Sequence, residues 1–276
     1  MMVKINDYCK NRAVKLGIVG NPVEHSLSPK MHSAAMKALN ITGSYKLLPT
    51  PQKEMAERMQ EIREKYQGVN ITIPYKKAII EYIDLLDDTA AAIGAINTVV
   101  NRSGQLIGYN TDAPGFYWAL ENARLTPGEA LVLGAGGAAR AIVYELVSRG
   151  WLVAVFNRTA KKAFELVEQL GGWVVVNKKI EKAVSKTPLL INATSVGLND
   201  PNTSPLPDGV MPESGAVVDI VYKPRKTKLL RDAEAAGLQT LDGLEMLLGQ
   251  GVLAFELWSG EAAPVDVMRQ ALEGQQ

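Results

Sequence analysis

The sequence predicts an α/β protein built as two domains, and three observations carry that expectation. Short apolar runs alternate with amphipathic stretches along the 276 residues, as strands alternate with helices. A glycine-rich turn, Gly134-Ala135-Gly136-Gly137-Ala138-Ala139, stands between an apolar run and a helical pattern. Thr126-Pro127-Gly128 punctuates the chain just ahead of it. The length suits one large domain or two modest ones.

The first strand is Lys15–Gly20. A Pro/Ser-rich loop follows, and a helix opens at Ser28-Pro29, where Ser is a favoured N-cap and Pro a favoured first helical residue. Tyr45–Leu48 reads as a strand and Gln52–Tyr66 as a charged helix. Val69–Ile73 is a strand stopped by Pro74, and a helix is expected over Lys77–Leu86. Asn97–Asn101 and Leu106–Tyr109 flank Ser103-Gly104 as a hairpin. The crossover between domains falls in a helix around Asp112–Arg124. Beyond it come the strand Ala130–Leu133, the glycine turn, the helix Ala138–Ser148 and the strand Trp151–Phe156. Further strands are expected at Trp173–Val176, Pro188–Ile191 and Ala216–Asp219, with a loop over Asn199–Pro212. Leu244–Trp258 and Val265–Leu272 are amphipathic helices, and periodicity does not say which domain they join.

Composition removes several function classes. Hydrophobic residues make up 47% and charged residues 21%, which suits a globular chain with a sizeable core. Lys+Arg is 30 against Asp+Glu 29, a net charge of +1, so no basic surplus exists to neutralise a phosphate backbone, and nucleic acid is not the expected partner. The lone cysteine, Cys9, allows neither an internal disulfide nor a multi-cysteine metal site, and His25 and His32 alone do not build one. No apolar run approaches the roughly 18 residues of a membrane span, and the polar N-terminal segment lacks the apolar core of a signal peptide. No membrane partner is expected, and a reducing, cytoplasmic setting is.

The glycine turn is the G-x-G-x-x-A form of the dinucleotide fingerprint, placed after a strand and before a helix. Gly134 permits the tight turn, Gly136 lets backbone approach a pyrophosphate, and Ala139 lets the helix pack close to the sheet. The helix start offers unpaired N–H groups to phosphate. The next strand ends in Asn157-Arg158-Thr159, where an NAD site would place a carboxylate for the ribose 2′-hydroxyl. Arg158 suits a 2′-phosphate instead, with Lys161 and Lys162 following, so the position favours NADP over NAD. A solvated basic helix start is the alternative.

Four polar loops of the first half end strands or helices, where open α/β sheets bind ligands. Ser26 and Ser28 sit two residues apart at a helix start and can hold a carboxylate, although plain N-capping by Ser28 fits that feature better on its own. His25 and His32 lack a partner set and read as packing or surface residues. Lys76 follows the bend after Thr72 and offers either a general acid or a solvated lysine. Asn97 and Asp112 bracket the hairpin, with N-capping as the alternative role of Asp112. A Lys, an Asp and an Asn on one pocket suit an alcohol/ketone substrate.

Taken together these segments resemble the shikimate dehydrogenase family almost end to end. The carrying motifs are GNPVEHSLSP (20–29), GVNITIPYK (68–76), GAINTVV (94–100), GYNTD (108–112), GAGGAARA (134–141), NRT (157–159), NATSVG (192–197), DIVYKP (219–224) and LLGQGVLAFELWSG (247–260), in the family's order. The resemblance implies an N-terminal α/β substrate domain (1–112, joined by returning helices 248–276), a C-terminal Rossmann-type NADP-binding domain (113–247), and a closing cleft between them. It implies reversible NADPH-dependent reduction of 3-dehydroshikimate to shikimate, in aromatic amino acid (chorismate) biosynthesis. Carried over by motif, Ser26 and Ser28 bind the substrate carboxylate, and Thr72, Asn97 and Asp112 the ring hydroxyls. Lys76 is the catalytic lysine, paired with Asp112. Gln250 is a further hydroxyl ligand, and Tyr222 lies in the cleft. Gly134, Ala135, Gly136, Gly137 and Ala138 hold the pyrophosphate. Asn157, Arg158, Thr159 and Lys162 face the 2′-phosphate, although the family often has Arg where Lys161 and Lys162 stand. Ala193, Thr194, Ser195 and Gly243 line the nicotinamide half. A homodimer is the assembly to test. The rivals are a broader quinate/shikimate dehydrogenase and a catalytically silent NADP-binding sensor.

Overall fold

A computed structural model of the chain describes residues 13–274, so Cys9 and most of the polar N-terminal segment lie outside the described residues. It divides into two compact units. One holds the described residues up to Thr111 together with those from Leu248 onward; the other runs Asp112–Leu247. Asp112 therefore opens the second unit. Among the described residues no helix is long and apolar enough to cross a membrane.

The first unit is built on a mixed six-stranded sheet, ordered β2-β1-β3-β5-β6-β4. Its strands are β1 (Val14–Gly20), β2 (Gly43–Pro49), β3 (Gly68–Ile71), β4 (Leu85–Leu86), β5 (Thr98–Arg102) and β6 (Gln105–Tyr109). β1 runs parallel to both β2 and β3, while β5 is antiparallel to β3 and to β6. The central position of β1 explains its near-continuous apolar run, with Leu16, Ile18 and Val19 all buried. The helices are α1 (Ser28–Ala38), α2 (Met55–Lys65) and α3 (Asp88–Ile93), joined by the last two described below.

The β5–β6 hairpin forms as expected: Arg102 pairs Gln105, and Ser103 and Gly104 take φ of 53° and 94°, the left-handed pair of a two-residue turn. Asn101 fixes it from within. Its side-chain carbonyl accepts from Gly104 N at 2.8 Å, and its amide donates to the carbonyls of Ile62, Arg63 and Tyr66 at the end of α2.

The expected helix over Lys77–Leu86 is not formed. A short 3-10 turn, Ala78–Tyr82, is followed by the edge strand β4. Asp84 is the reason. Its carboxylate pairs with Arg63 and accepts from Leu106 N at 2.7 Å, while its own N–H donates to Leu106 O at 3.0 Å. These bonds draw residues 84–86 out along β6 and leave no helical ladder. α3 starts instead at Asp87, whose carboxylate accepts from Thr89 N and Ala90 N at 3.0 and 3.3 Å, and it stops at Gly94 with φ 67°.

The second unit is a parallel sheet ordered β12-β11-β10-β7-β8-β9. Its strands are β7 (Glu129–Leu133), β8 (Leu152–Phe156), β9 (Trp173–Val174, shorter than the expected Trp173–Val176), β10 (Leu189–Asn192), β11 (Ala216–Asp219) and β12 (Gln239–Leu241). Numbered from β7, this is the 3-2-1-4-5-6 order of the doubly wound dinucleotide fold, with its switch point between β7 and β10. Helices α4 (Asp112–Asn122), α5 (Gly137–Ser148), α6 (Ala160–Leu170), α7 (Ile180–Lys186) and α8 (Lys228–Ala235) accompany it. Period-2 alternation sorts the core into two layers. Val132, Ile191 and Val218 pack with Phe116, Ile142 and Leu146 on one face; Leu131, Leu190 and Val217 pack with Val184 and Leu229 on the other.

α9 (Leu244–Ser259) and α10 (Val265–Glu273) end the described chain. From Leu248 onward they belong to the first unit, where Trp258 Nε1 donates to Val99 O at 2.9 Å and α10 packs on α1.

Candidate active site

In the first unit the functional loops leave the C-terminal ends of β1 and β3, which are neighbours. Asn21 N donates to Ile73 O at 3.2 Å, and Thr72 N donates to Val19 O at 2.9 Å. The approach is close enough that a Cβ on Gly20 would overlap the Thr72 methyl. One loop carries Ser26 and Ser28; the other carries Thr72 and Lys76. Ser28 is not the N-cap. It is the first residue of α1, it is buried, and its N–H is accepted by the Ser26 hydroxyl at 3.2 Å. Ser26 thus supplies the local cap-like bond and remains partly exposed.

Thr72 accepts from Tyr75 N at 2.9 Å, a turn held further by the Tyr75 hydroxyl donating to Thr50 O at 2.6 Å. This turn carries Lys76, half-buried, whose carbonyl accepts from Ile96 N at 2.8 Å. That bond sets Lys76 beside the Ile96-Asn97 segment leading into β5.

Asn97 is buried and its amide is oriented by its neighbours. Its side-chain oxygen accepts from Thr111 N at 2.7 Å and from the Thr98 hydroxyl at 3.3 Å. Its NH₂ then points to the Thr111 hydroxyl at 2.9 Å and to Gln250 Oε1 at 3.3 Å. Gln250 comes from α9, 153 residues away in sequence, and is buried. Asn70 supports the group from β3, donating to Asn97 O and to the Thr98 hydroxyl, each at 3.1 Å, while accepting from the Tyr45 hydroxyl at 2.7 Å. Asn70, Thr98, Thr111 and Tyr45 are the residues sequence reasoning missed here. The available signal was a polar residue, Asn70, inside the fully buried strand GVNI.

His32 is buried on α1, stacked on Tyr45 with ring centroids 4.6 Å apart and edge-on to Trp258 at 5.2 Å. Burial pushes its pKa down to about 3, so it stays neutral and serves as packing. His25 is exposed.

In the second unit, Gly134 makes the tight turn with φ 118°, and its N–H donates to Phe156 O at 2.7 Å. A Cβ there would lie 2.9 Å from Ala193 O. The turn is thereby locked at the switch point, beside Asn157 on one side and the Ala193-Thr194-Ser195 loop on the other. Gly136 begins α5 in extended geometry, and a Cβ on it would meet nothing within 4 Å. The space before it is unfilled by protein, as backbone approach to a pyrophosphate requires. Ala135, Gly137 and Ala138 are half-buried around it. The donor set and this open cradle fit a dinucleotide.

Arg158, Thr159, Lys161 and Lys162 are all exposed at the end of β8 and the start of α6. Asn157 bends the chain there by donating to Thr159 O at 2.9 Å, and Lys161 pairs with Glu165 at 3.9 Å. Tyr222 is half-buried, and burial raises its phenol above the usual value. Gly243 packs so closely on Ile220 O that a Cβ would overlap it, and Gly243 N donates to Val221 O at 3.2 Å. Asp112, at the start of α4, is buried.

Comparison with known proteins follows the same division. Residues 18–99 match the family model for the shikimate dehydrogenase substrate binding domain, 119–246 that for shikimate/quinate 5-dehydrogenase, and 243–273 that for the shikimate 5'-dehydrogenase C-terminal domain. The chain is 46% identical over 248 residues to the shikimate dehydrogenase (NADP(+)) of Thermus thermophilus, covering 90% of this chain and 93% of that one. It is similar to the crystal structure of the Thermus thermophilus enzyme in complex with NADP(H) and shikimate, with TM-score 0.88, 44% identity, and coverage of 95% and 99%. Quinate dehydrogenase from Corynebacterium glutamicum in complex with NAD is also similar in fold, with TM-score 0.87, 28% identity, and coverage of 95% and 99%. The α/β architecture expected from the sequence is the one observed, and the chain belongs to the NADP-dependent shikimate dehydrogenase family of oxidoreductases.

Proposed function

We propose that this chain carries out the reversible NADPH-dependent reduction of 3-dehydroshikimate to shikimate, in aromatic amino acid (chorismate) biosynthesis, with the following division of labour. Ser26 and Ser28 bind the substrate carboxylate, and Thr72, Asn97, Asp112 and Gln250 its hydroxyls. The Asn97 oxygen is engaged by Thr111 and Thr98 and its NH₂ by the Thr111 hydroxyl and Gln250, which fixes the amide that meets the substrate hydroxyl. Lys76, as ammonium, gives its proton to the carbonyl oxygen as that oxygen becomes the alcohol, and takes it back in the reverse direction. Asp112 holds Lys76 and a ring hydroxyl in line, and Tyr222 joins the substrate-binding residues. Bound NADPH supplies the hydride. Gly134 through Ala138 hold its pyrophosphate, Asn157, Arg158, Thr159 and Lys162 its 2′-phosphate, and Ala193, Thr194, Ser195 and Gly243 its nicotinamide half. A cytoplasmic setting without a nucleic-acid or membrane partner goes with this reading, and a homodimer is the assembly to test.

The observation that carries the reading is the convergence of Thr72, Lys76 and the Asn97–Gln250 pair at one end of the central strands of the first sheet. The test is NADP-linked absorbance on adding shikimate to the purified full chain, with quinate and NAD alongside. Turnover with shikimate and NADP is expected. No turnover with either cofactor overturns the reading, and equal turnover of quinate shifts it to the broader quinate/shikimate class. The exposed Arg158, standing where an NAD site carries an acid, favours the NADP enzyme.

A further inference from the structure

The second unit contains a buried carboxylate that the reaction does not use. Asp219 ends β11, is fully buried, and is met by three donors from three segments. Asn192, at the end of β10, donates to its Oδ1 at 2.9 Å, and Val221 N donates to the same oxygen at 3.0 Å. The Thr227 hydroxyl, at the start of α8, donates to Oδ2 at 2.7 Å. Each partner passes the constraint on. Asn192 donates also to Val196 O at 3.2 Å, and its oxygen accepts from Thr194 N at 3.0 Å and from the Thr194 hydroxyl at 2.7 Å. Val221 O accepts from Gly243 N, and Thr227 packs against Gly197. The Asn192–Gly197 loop, the Ile220–Val221 segment and the turn into α9 are therefore tied to one carboxylate.

We propose that Asp219 is a positioning residue for the nicotinamide half of the cofactor site: through Asn192 it fixes the Ala193-Thr194-Ser195 loop against the glycine turn. The inference rests on the NADP reading above. Its location separates the two halves of the cofactor. Arg158 stands at the end of β8, whereas Asp219 and Asn192 stand at the ends of β11 and β10, on the other side of β7 and the switch point. The adenosine 2′-phosphate half is recognised on the first side and the nicotinamide half on the second. Burial, opposed by the three donors and reinforced by Asp242, raises the Asp219 pKa to about 6. A carboxylate kept dry at that cost is held for the bonds it makes.

Isothermal titration of the full chain with two probes tests this: NADP⁺, and adenosine 2′,5′-bisphosphate, which lacks the nicotinamide half. Asp219→Ala is expected to weaken NADP⁺ by about 10-fold or more while leaving the bisphosphate within about 2-fold. Asp219→Asn, which keeps an oxygen for Asn192 and Val221, is expected to recover most of the loss. Thr227→Val, a milder change of the same group, is expected to weaken NADP⁺ alone by a few-fold and Thr227→Ser to restore it, so the outcome stands even if Asp219→Ala fails to fold. Equal weakening of both probes, or unaltered NADP⁺ binding in folded variants, overturns the assignment. If the unsubstituted protein binds neither probe, the NADP reading fails instead.

Discussion

At the scale of single residues, the proposed proton donor is Lys76. Its carbonyl accepts from Ile96 N, which holds its backbone next to Asn97. A positioned acid–base group contributes about 10²–10⁴-fold in rate. Lys76→Ala is expected to lower kcat at least about 10²-fold, with a much smaller change in KM for shikimate and none in NADP⁺ affinity. Steady-state kinetics on protein with an unaltered thermal melt check this, and near-normal kcat sinks the proton-donor role. Lys76, Asn97 and Ser26 could be singled out as polar residues of loops at strand or helix ends, and their proposed roles came from the family motifs rather than from that placement. Asn70, Thr98, Thr111 and Asp219 could not be singled out, because their importance comes from partners brought by folding. Thr111 reaches Asn97 across 14 positions and Thr98 across 13, and neither spacing marks a motif.

Among elements, the glycine turn separates two roles that sequence merges. Gly134 is required by the fold: its φ of 118° and the 2.9 Å approach to Ala193 O leave no room for a methyl group. Gly136 is required only by what it faces, since a methyl there meets no protein atom. Gly134→Ala is thus expected to cost about 1–3 kcal/mol of stability as well as NADP⁺ affinity. Gly136→Ala is expected to leave the melting temperature nearly unchanged while weakening NADP⁺ clearly. Parallel thermal melts and titrations separate the two, and an equal stability loss in both variants defeats the distinction. The turn was readable because strand, glycines and helix are contiguous. The stretch 77–86 misled because Ile79, Ile80, Ile83 and Leu86 are spaced as on a helix, and the opposing force comes from Arg63, 21 residues before Asp84. α3, by contrast, carries its own punctuation in Asp87 and Gly94, which periodicity alone overlooks.

For the whole molecule, two buried groups tilt stability with pH in opposite directions. His32 has a folded pKa of about 3 against an ordinary 6.5, so between these values the unfolded chain binds the extra proton. Stability is therefore lost as pH falls through that window, by up to roughly 5 kcal/mol at its foot. Asp219 has a folded pKa of about 6 against 3.8, so there the folded chain binds the extra proton and stability rises as pH falls from 6 toward 3.8, by up to roughly 3 kcal/mol. Urea midpoints at pH 7 and about pH 4.5 read both. His32→Leu is expected to flatten the acid loss and Asp219→Asn to steepen it; an unaltered slope in His32→Leu removes His32 as the acid-sensitive group.

The first unit is assembled from both ends of the described chain, whereas the second is one unbroken stretch between them. During synthesis that order imposes a delay. The second unit has emerged in full by Leu247, when the first still lacks Gln250 beside Asn97, the Trp258 indole on Val99 O, and α10 against α1. A nascent chain at that point carries the whole of the parallel sheet and glycine turn, but an Asn97 without Gln250 and an α1 without α10. The parallel sheet and its glycine turn are thus synthesised in full before the first unit is, and the first unit waits for the stretch from Leu248 onward.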